Sequence, residues 1–256
     1  METRNQLIFN LKQFYYYSQD YEWTAEMPYY WFCFFKIDGT GCRINERLET
    51  EGKIKIYQPL SGIENLASLE PDKNDAIPIP GVLGKKSIYL KPISAPDFMG
   101  DPTPGILEPE FGCVVVFMNK SCFETDKTNH YPVLLSGSIE HYFNELIPLL
   151  NKKKKPGFNS SLELSEILEE QIIKYAKQTQ PYWKRFLLEF SADATIWKFS
   201  LSELRELQSI SITKNWVNQG NWELSGEITL AEKLRDSKPK NTKTTLQRST
   251  KLKHQP

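Results

Sequence analysis

Three histidines, His130, His141 and His254, limit the nucleophilic and acid–base chemistry this chain can do. A Ser-His-Asp or Cys-His arrangement needs an imidazole within hydrogen-bond reach of its nucleophile. His254 falls in a basic C-terminal stretch, which leaves His130 and His141. Ser138 is the best-placed nucleophile, at an expected strand-to-helix turn. However, Leu135-Ser136-Gly137-Ser138-Ile139-Glu140 lacks the Gly-x-Ser-x-Gly of a nucleophile elbow. A serine there more simply caps a helix that starts at Ile139. No catalytic residue is assigned from these patterns.

Phosphate motifs are missing too: neither Gly-x-x-x-x-Gly-Lys-Ser/Thr nor Gly-x-Gly-x-x-Gly occurs. Asp38-Gly39-Thr40-Gly41 reads as a turn closing a strand. Asp97, Asp101, Glu108 and Glu110 crowd a proline-rich stretch without the ligand alternation and central glycine of a calcium loop, so a solvated acidic loop is expected. Cys33/Cys42 and Cys113/Cys122 share a Cys-x8-Cys spacing, longer than the roughly two to four residues usual between structural zinc ligands. Reduced, partly buried thiols are expected, with no metal and no cofactor.

The remaining candidates are aromatic and cationic. Tyr15-Tyr16-Tyr17, Tyr21, Trp23 and Tyr29-Tyr30-Trp31-Phe32 crowd the first 35 residues. Aromatics at this density build cores, anchor protein interfaces or stack bases. A helical reading of residues 4–18 turns Phe14 and Tyr15 inward and leaves Tyr16 and Tyr17 more exposed. Tyr16, Tyr17, Tyr30 and Trp31 are therefore the expected interface residues. Residues 232–256 hold eight cations, Lys233, Arg235, Lys238, Lys240, Lys243, Arg248, Lys251 and Lys253, against Glu232 and Asp236. With 32 charges of each sign in the whole chain, the tail carries +6 and the body −6. Such a tail is expected to be disordered and to meet RNA, DNA or an acidic protein through salt-sensitive contacts.

The elements that must position these groups follow from periodicity. Leu7, Ile8, Leu11, Phe14 and Tyr15 fall at i, i+1, i+4, i+7 and i+8, which predicts an amphipathic helix over 4–18. Strands are expected at 29–35, apolar on both faces, then at 42–48 and 53–57, where Ile54 and Ile56 alternate with lysines. A short helix is expected at 61–69 and a strand at 87–91. Five prolines make 92–112 a loop. Residues 112–118 form the best buried strand, followed by a strand at 131–135 and a helix at 139–150. Lys152–Lys155 and Pro156-Gly157 end that helix. A capping box at Ser160 opens a helix to about Gln178. Strands follow at 182–190, with helix as a close alternative there, and at 195–199, then a helix capped by Ser200-Leu201-Ser202-Glu203 and a hairpin of 210–217 with 222–230.

The 256 residues, 39% of them apolar, suffice for a real core. No run approaches the ~18 apolar residues of a membrane span, and residues 1–5 lead into no long apolar region. A cytoplasmic protein without membrane contact is expected. The expected class is α+β, a mostly antiparallel sheet with flanking helices. One domain would cover 1–155, with the N-terminal helix and proline-rich loop 92–112. A smaller α+β module would cover 156–231, and the basic tail 232–256. The expected function is a non-catalytic binding or assembly subunit of a larger intracellular complex. Other protein subunits would be its partners and nucleic-acid handling, ribonucleoprotein or defence-type, its setting. The rivals are a hydrolase or nuclease drawing on His130, His141, Ser138 and the loop acids, and a small-ligand sensor.

Overall fold

Side chains of a strand alternate between faces, so a chain of strands buries its apolar residues in flat layers. The computed structural model describes residues 5–18, 29–47, 49–58, 64–65, 75–95, 106–118, 130–152, 168, 170, 174, 192–216 and 221–231. In order these hold β1 (Asn5–Ser18), β2 (Tyr29–Ile37), β3 (Cys42–Ile44), β4 (Thr50–Gly52), β5 (Lys55–Tyr57), β6 (Glu64–Asn65) and β7 (Asp75–Pro78). Next come α1 (Gly81–Gly84), β8 (Lys85–Leu90), β9 (Ile93–Ser94), β10 (Ile106–Leu107), β11 (Glu110–Met118), α2 (His130–Lys152) and β12 (Ala192–Ser200). The last three are α3 (Leu201–Leu207), β13 (Ser209–Trp216) and β14 (Asn221–Leu230).

Two antiparallel sheets dominate. The first runs β13-β14-β1, with β8 and β7 sharing the far side of β1. The second runs β12-β11-β2, with β5 and β6 sharing the far side of β2. Leu7, Phe9 and Leu11 of β1, Phe32 and Phe34 of β2, and Val115 and Phe117 of β11 join one core between the sheets. The opposite face of β2 and β11, with Trp31, Cys33, Phe35, Val114 and Val116, packs under Ile139, Tyr142, Phe143 and Leu146 of α2. The result is three layers: sheet, sheet and helix. β2 is apolar on both faces because it is central to that stack. No described helix is long and apolar enough to cross a membrane.

The architecture is thus mostly antiparallel sheet, with fewer helices than the sequence reading implies. Residues 4–18 are the main correction: described from Asn5, they form a 14-residue strand. Buried positions run Leu7, Phe9, Leu11, then Phe14 and Tyr16. The pairing with β14 shifts register between Leu11 and Gln13. A β-bulge there inserts one residue, switching the buried set from odd to even positions. That three-residue step imitates helical spacing. A second correction concerns 131–135, which lie inside α2. Pro132 sits in its first turn, where the missing N–H costs nothing. Ser138 is therefore not an N-cap; it is a buried residue of the helix interior.

Within 61–69, Glu64–Asn65 is a strand pairing with β2 rather than part of a helix. Within the 92–112 loop, β9 and β10 pair with each other. The turn at Asp38 does not join a hairpin, because β3 pairs with β4. β12 joins the sheet of β11 and β2, and β13 and β14 join the sheet of β1. The strand at 112–118 and the strand at 195–199 fall within β11 and β12, and the 210–230 hairpin is β13–β14. Leu168, Glu170 and Lys174 are helical. The strand at 182–190, residues 153–155 and the tail lie outside the described residues.

Two local devices have measurable weight. The Ser200 hydroxyl accepts from the Glu203 amide at 3.2 Å while the Glu203 carboxylate accepts from the Ser200 amide at 2.9 Å, a complete capping box. Ser200→Ala is expected to cost about 1 kcal/mol of unfolding free energy, read from urea titration. On β13, Ile210, Ile212 and Trp216 face inward. Lys214 shares their side, with its Nζ 6.0 Å from the Trp216 ring centroid. Among the described residues β13 pairs only with β14, so no described strand covers its outer edge. An inward-pointing lysine opposes pairing with another chain. Lys214→Val should raise the mass measured by sedimentation at micromolar protein; an unchanged mass would remove this role.

Candidate functional site: a lysine-lined opening between the sheets

Tyr30, Phe32 and Phe34 point from β2 into the inter-sheet core, and Lys36 continues that series. A lysine at a core position must find partners for its charge. Lys36 is 4% exposed, and its ammonium donates to Asp38 Oδ2 and to the Tyr89 carbonyl oxygen, both at 2.7 Å. Asp38 in turn accepts from the Lys91 amide at 3.0 Å, the Thr40 amide at 3.1 Å and the Thr40 hydroxyl. The Gly39 amide donates to the Lys91 carbonyl at 2.8 Å. A Cβ on Gly39 would stand 2.0 Å from the Pro92 carbonyl oxygen, so only glycine fits. This clasp ties the end of β2 to the end of β8, one strand from each sheet. Burial pushes the Asp38 carboxyl up, but Lys36, Thr40 and the Lys91 amide outweigh it and hold the group below its ordinary value.

Beside the clasp lies the opening, the edge at which β5 of one sheet and β8 of the other come together. Register places Lys55 of β5 opposite Lys36, and Tyr57 opposite Phe34. Both therefore face the inter-sheet side. Lys86 of β8 lies on the same side as Ile88 and Leu90, and its Nζ is 4.9 Å from the Tyr57 ring centroid. Thus Lys36, Lys55, Lys86 and Tyr57 gather where β5 and β8 form neighbouring edges of the two sheets. Burial pushes the Tyr57 phenol up, Lys55 draws it down and Asp38 pushes it up, so all three interact electrostatically. Asp38 answers Lys36; among the described residues no carboxylate forms an ion pair with Lys55 or Lys86. Counted over the described residues, this edge carries a local excess of two positive charges.

The groups singled out in the sequence lie elsewhere. Tyr16 and Tyr30 are buried in the inter-sheet core and Trp31 under α2, which leaves them no surface for a partner. Tyr17 stands on the outer face, donating its hydroxyl to Glu223 at 2.7 Å, and Tyr15 stacks beside it at 4.6 Å. The bulge thus exchanges Tyr15 and Tyr16 relative to the helical reading. Ser138 is buried while His141 is exposed, so they do not form a nucleophile–base pair. Glu110 pairs with Lys198 at 3.1 Å and Glu108 accepts from Ser202 at 2.8 Å. Asp97, Asp101, Cys122 and the eight tail cations lie outside the described residues. Cys33, Cys42 and Cys113 are free and buried. Burial pushes all three thiols up, Cys42 to about 11, so they are protonated and unreactive.

Among the described residues no three His, Cys, Asp or Glu side chains come together as metal ligands. Thr195 Oγ1 and Trp216 Nε1 are buried without a hydrogen-bond partner, but β12 and β13 lie at the edges opposite the opening. No family model, curated protein or solved structure matches this chain. Its chemistry rests on its own residues alone. The sequence reading missed the opening because its members come from three strands spread over about fifty residues. The available signal was Lys36 continuing the apolar alternation of β2.

Proposed function

We propose that the chain is a non-catalytic binding or assembly subunit of a larger intracellular complex and that it meets an anionic partner. The observation that supports this reading is the lysine-lined opening: two ammonium groups without carboxylate partners among the described residues, held on a rigid double sheet. Cations fixed this way raise the local concentration of anions and steer their approach. The eight cations of the tail would add a second, sequence-independent attraction, with RNA or DNA as its natural target and an acidic subunit as the other. The hydrolase or nuclease reading would have to draw on Ser138, which is buried within α2. Affinity capture from native cells, with co-purifying proteins and nucleic acids identified, tests the proposal. Recovery of stoichiometric partners is expected. A lone chain without protein or nucleic acid would overturn it.

A further inference from the structure

We infer that the opening between β5 and β8 is a binding site for a dianionic phosphate group, with Lys55 and Lys86 as its two cationic ligands and Tyr57 beside them. This rests on the reading of the chain as a binder of an anionic partner. Three observations carry it. First, Lys55 stands directly opposite Lys36 on the adjacent strand, on the same face. Like charges at such a pair, with Cβ atoms about 5 Å apart, destabilise a sheet. The fold bears this repulsion although Asp38 is already committed to Lys36 and to the turn amides. Secondly, Lys86 reaches across from the other sheet to the Tyr57 ring rather than to a described carboxylate. Its ammonium is held over the Tyr57 ring, two residues along β5 from Lys55 and on the same face. Thirdly, with Lys36 neutralised by Asp38, the charge left uncompensated among the described residues is two, which a phosphate dianion balances.

The uncompensated charge and the side-chain types suit a phosphate dianion. Lysine ammonium groups act as point charges that can approach a tetrahedral anion from different directions. Here the two come from opposite sheets. The Tyr57 hydroxyl can donate a further hydrogen bond. Lys36 lies beneath, too buried to be a ligand, and fixes the strand that faces Lys55.

The test uses the full chain with two probes, inorganic phosphate and glycerol phosphate, followed by thermal unfolding and by titration calorimetry. Both probes should raise the melting temperature in a dose-dependent way. Lys55→Met and Lys86→Met should each weaken binding by about tenfold or more, as expected for loss of one charge-assisted contact. Lys55→Arg should retain most of it. Lys55→Met has a second signature: without phosphate it should melt above the wild type, because the repulsion with Lys36 is gone. Tighter binding of glycerol phosphate would identify an ester as the ligand, and equal binding free phosphate. Absence of phosphate binding overturns the site, as does a Lys55→Met variant that melts lower and binds phosphate normally. Binding of a single-stranded oligonucleotide without either probe would also overturn it. If native capture still recovers partners in those cases, the binding-subunit reading survives the loss of this site.

Discussion

Asp38→Ala is expected to lower the unfolding free energy by about 3–5 kcal/mol, the range for removing one partner of a buried ion pair. Lys36 would be left charged and 4% exposed, with the Tyr89 carbonyl its one remaining acceptor among the described residues. The amides of Thr40 and Lys91 would lose their acceptor as well. Guanidinium or thermal unfolding measures the loss. Lys36→Met combined with Asp38→Ala should recover part of it, because the uncompensated charge is gone. The orphaned amides, at roughly 1–3 kcal/mol for a buried unpaired group, keep the recovery incomplete. A change below about 1 kcal/mol in Asp38→Ala, the scale of an exposed pair, would show that no buried ion pair holds the clasp. The pair also sets an acid limit. The Asp38 carboxyl is held below its ordinary value of about 3.9 in the folded state. Its contribution is therefore fully present above that pH and is lost as pH falls through the lower folded value. The stability gap between wild type and Asp38→Asn should be flat from about pH 5 to 8 and should narrow below about pH 4. A gap that stays constant down to pH 2 would rule out an ionised Asp38 as its source.

Phe14→Ala should cost a similar amount, about 3–5 kcal/mol, through lost burial and the cavity left behind. Phe14 is fully buried. Its ring centroid lies 4.9 Å from Tyr30, 6.0 Å from Phe117, 6.1 Å from Phe32 and 6.1 Å from Trp216. Four neighbours from β2, β11 and β13 cannot all close on the void, so little relaxation is available. Tyr15→Ala, one residue away on the outer face, should cost much less. The comparison checks the bulge itself. Under a helical reading Phe14 and Tyr15 share the buried face and both substitutions would be severe. Equal losses in chemical denaturation would contradict the bulged strand register of β1.

Much of the sheet is legible in the sequence where alternation is undisturbed. β11 and the β13–β14 hairpin show the two-residue period or an unbroken apolar run, and burial follows it. The α3 cap is legible because Ser200 and Glu203 act within one turn. β1 is not, since a single inserted residue at Lys12 turns a period of two into a spacing that fits a helix equally well. The start of α2 fails for a related reason. Tyr131-Pro132-Val133-Leu134-Leu135 has strand composition, yet it forms the first turns of a helix whose stripe packs on β2 and β11. The candidate site is the least legible part. Lys36, Lys55 and Lys86 become neighbours only through the pairing of β2 with β5 and the stacking of β8 over them. No local pattern encodes either relation.

The position of β1 has a consequence for synthesis. This strand pairs with β14 on one side, from Leu7 opposite Leu230, and with β7 and β8 on the other. At roughly 5–20 residues per second, on the order of 10–40 s separate the emergence of β1 from that of β14. Through that interval β1 lacks its strand partner along one edge. β1 thus emerges long before its pairing is complete, and the nascent chain must shelter an unpaired strand edge until the β13–β14 hairpin arrives.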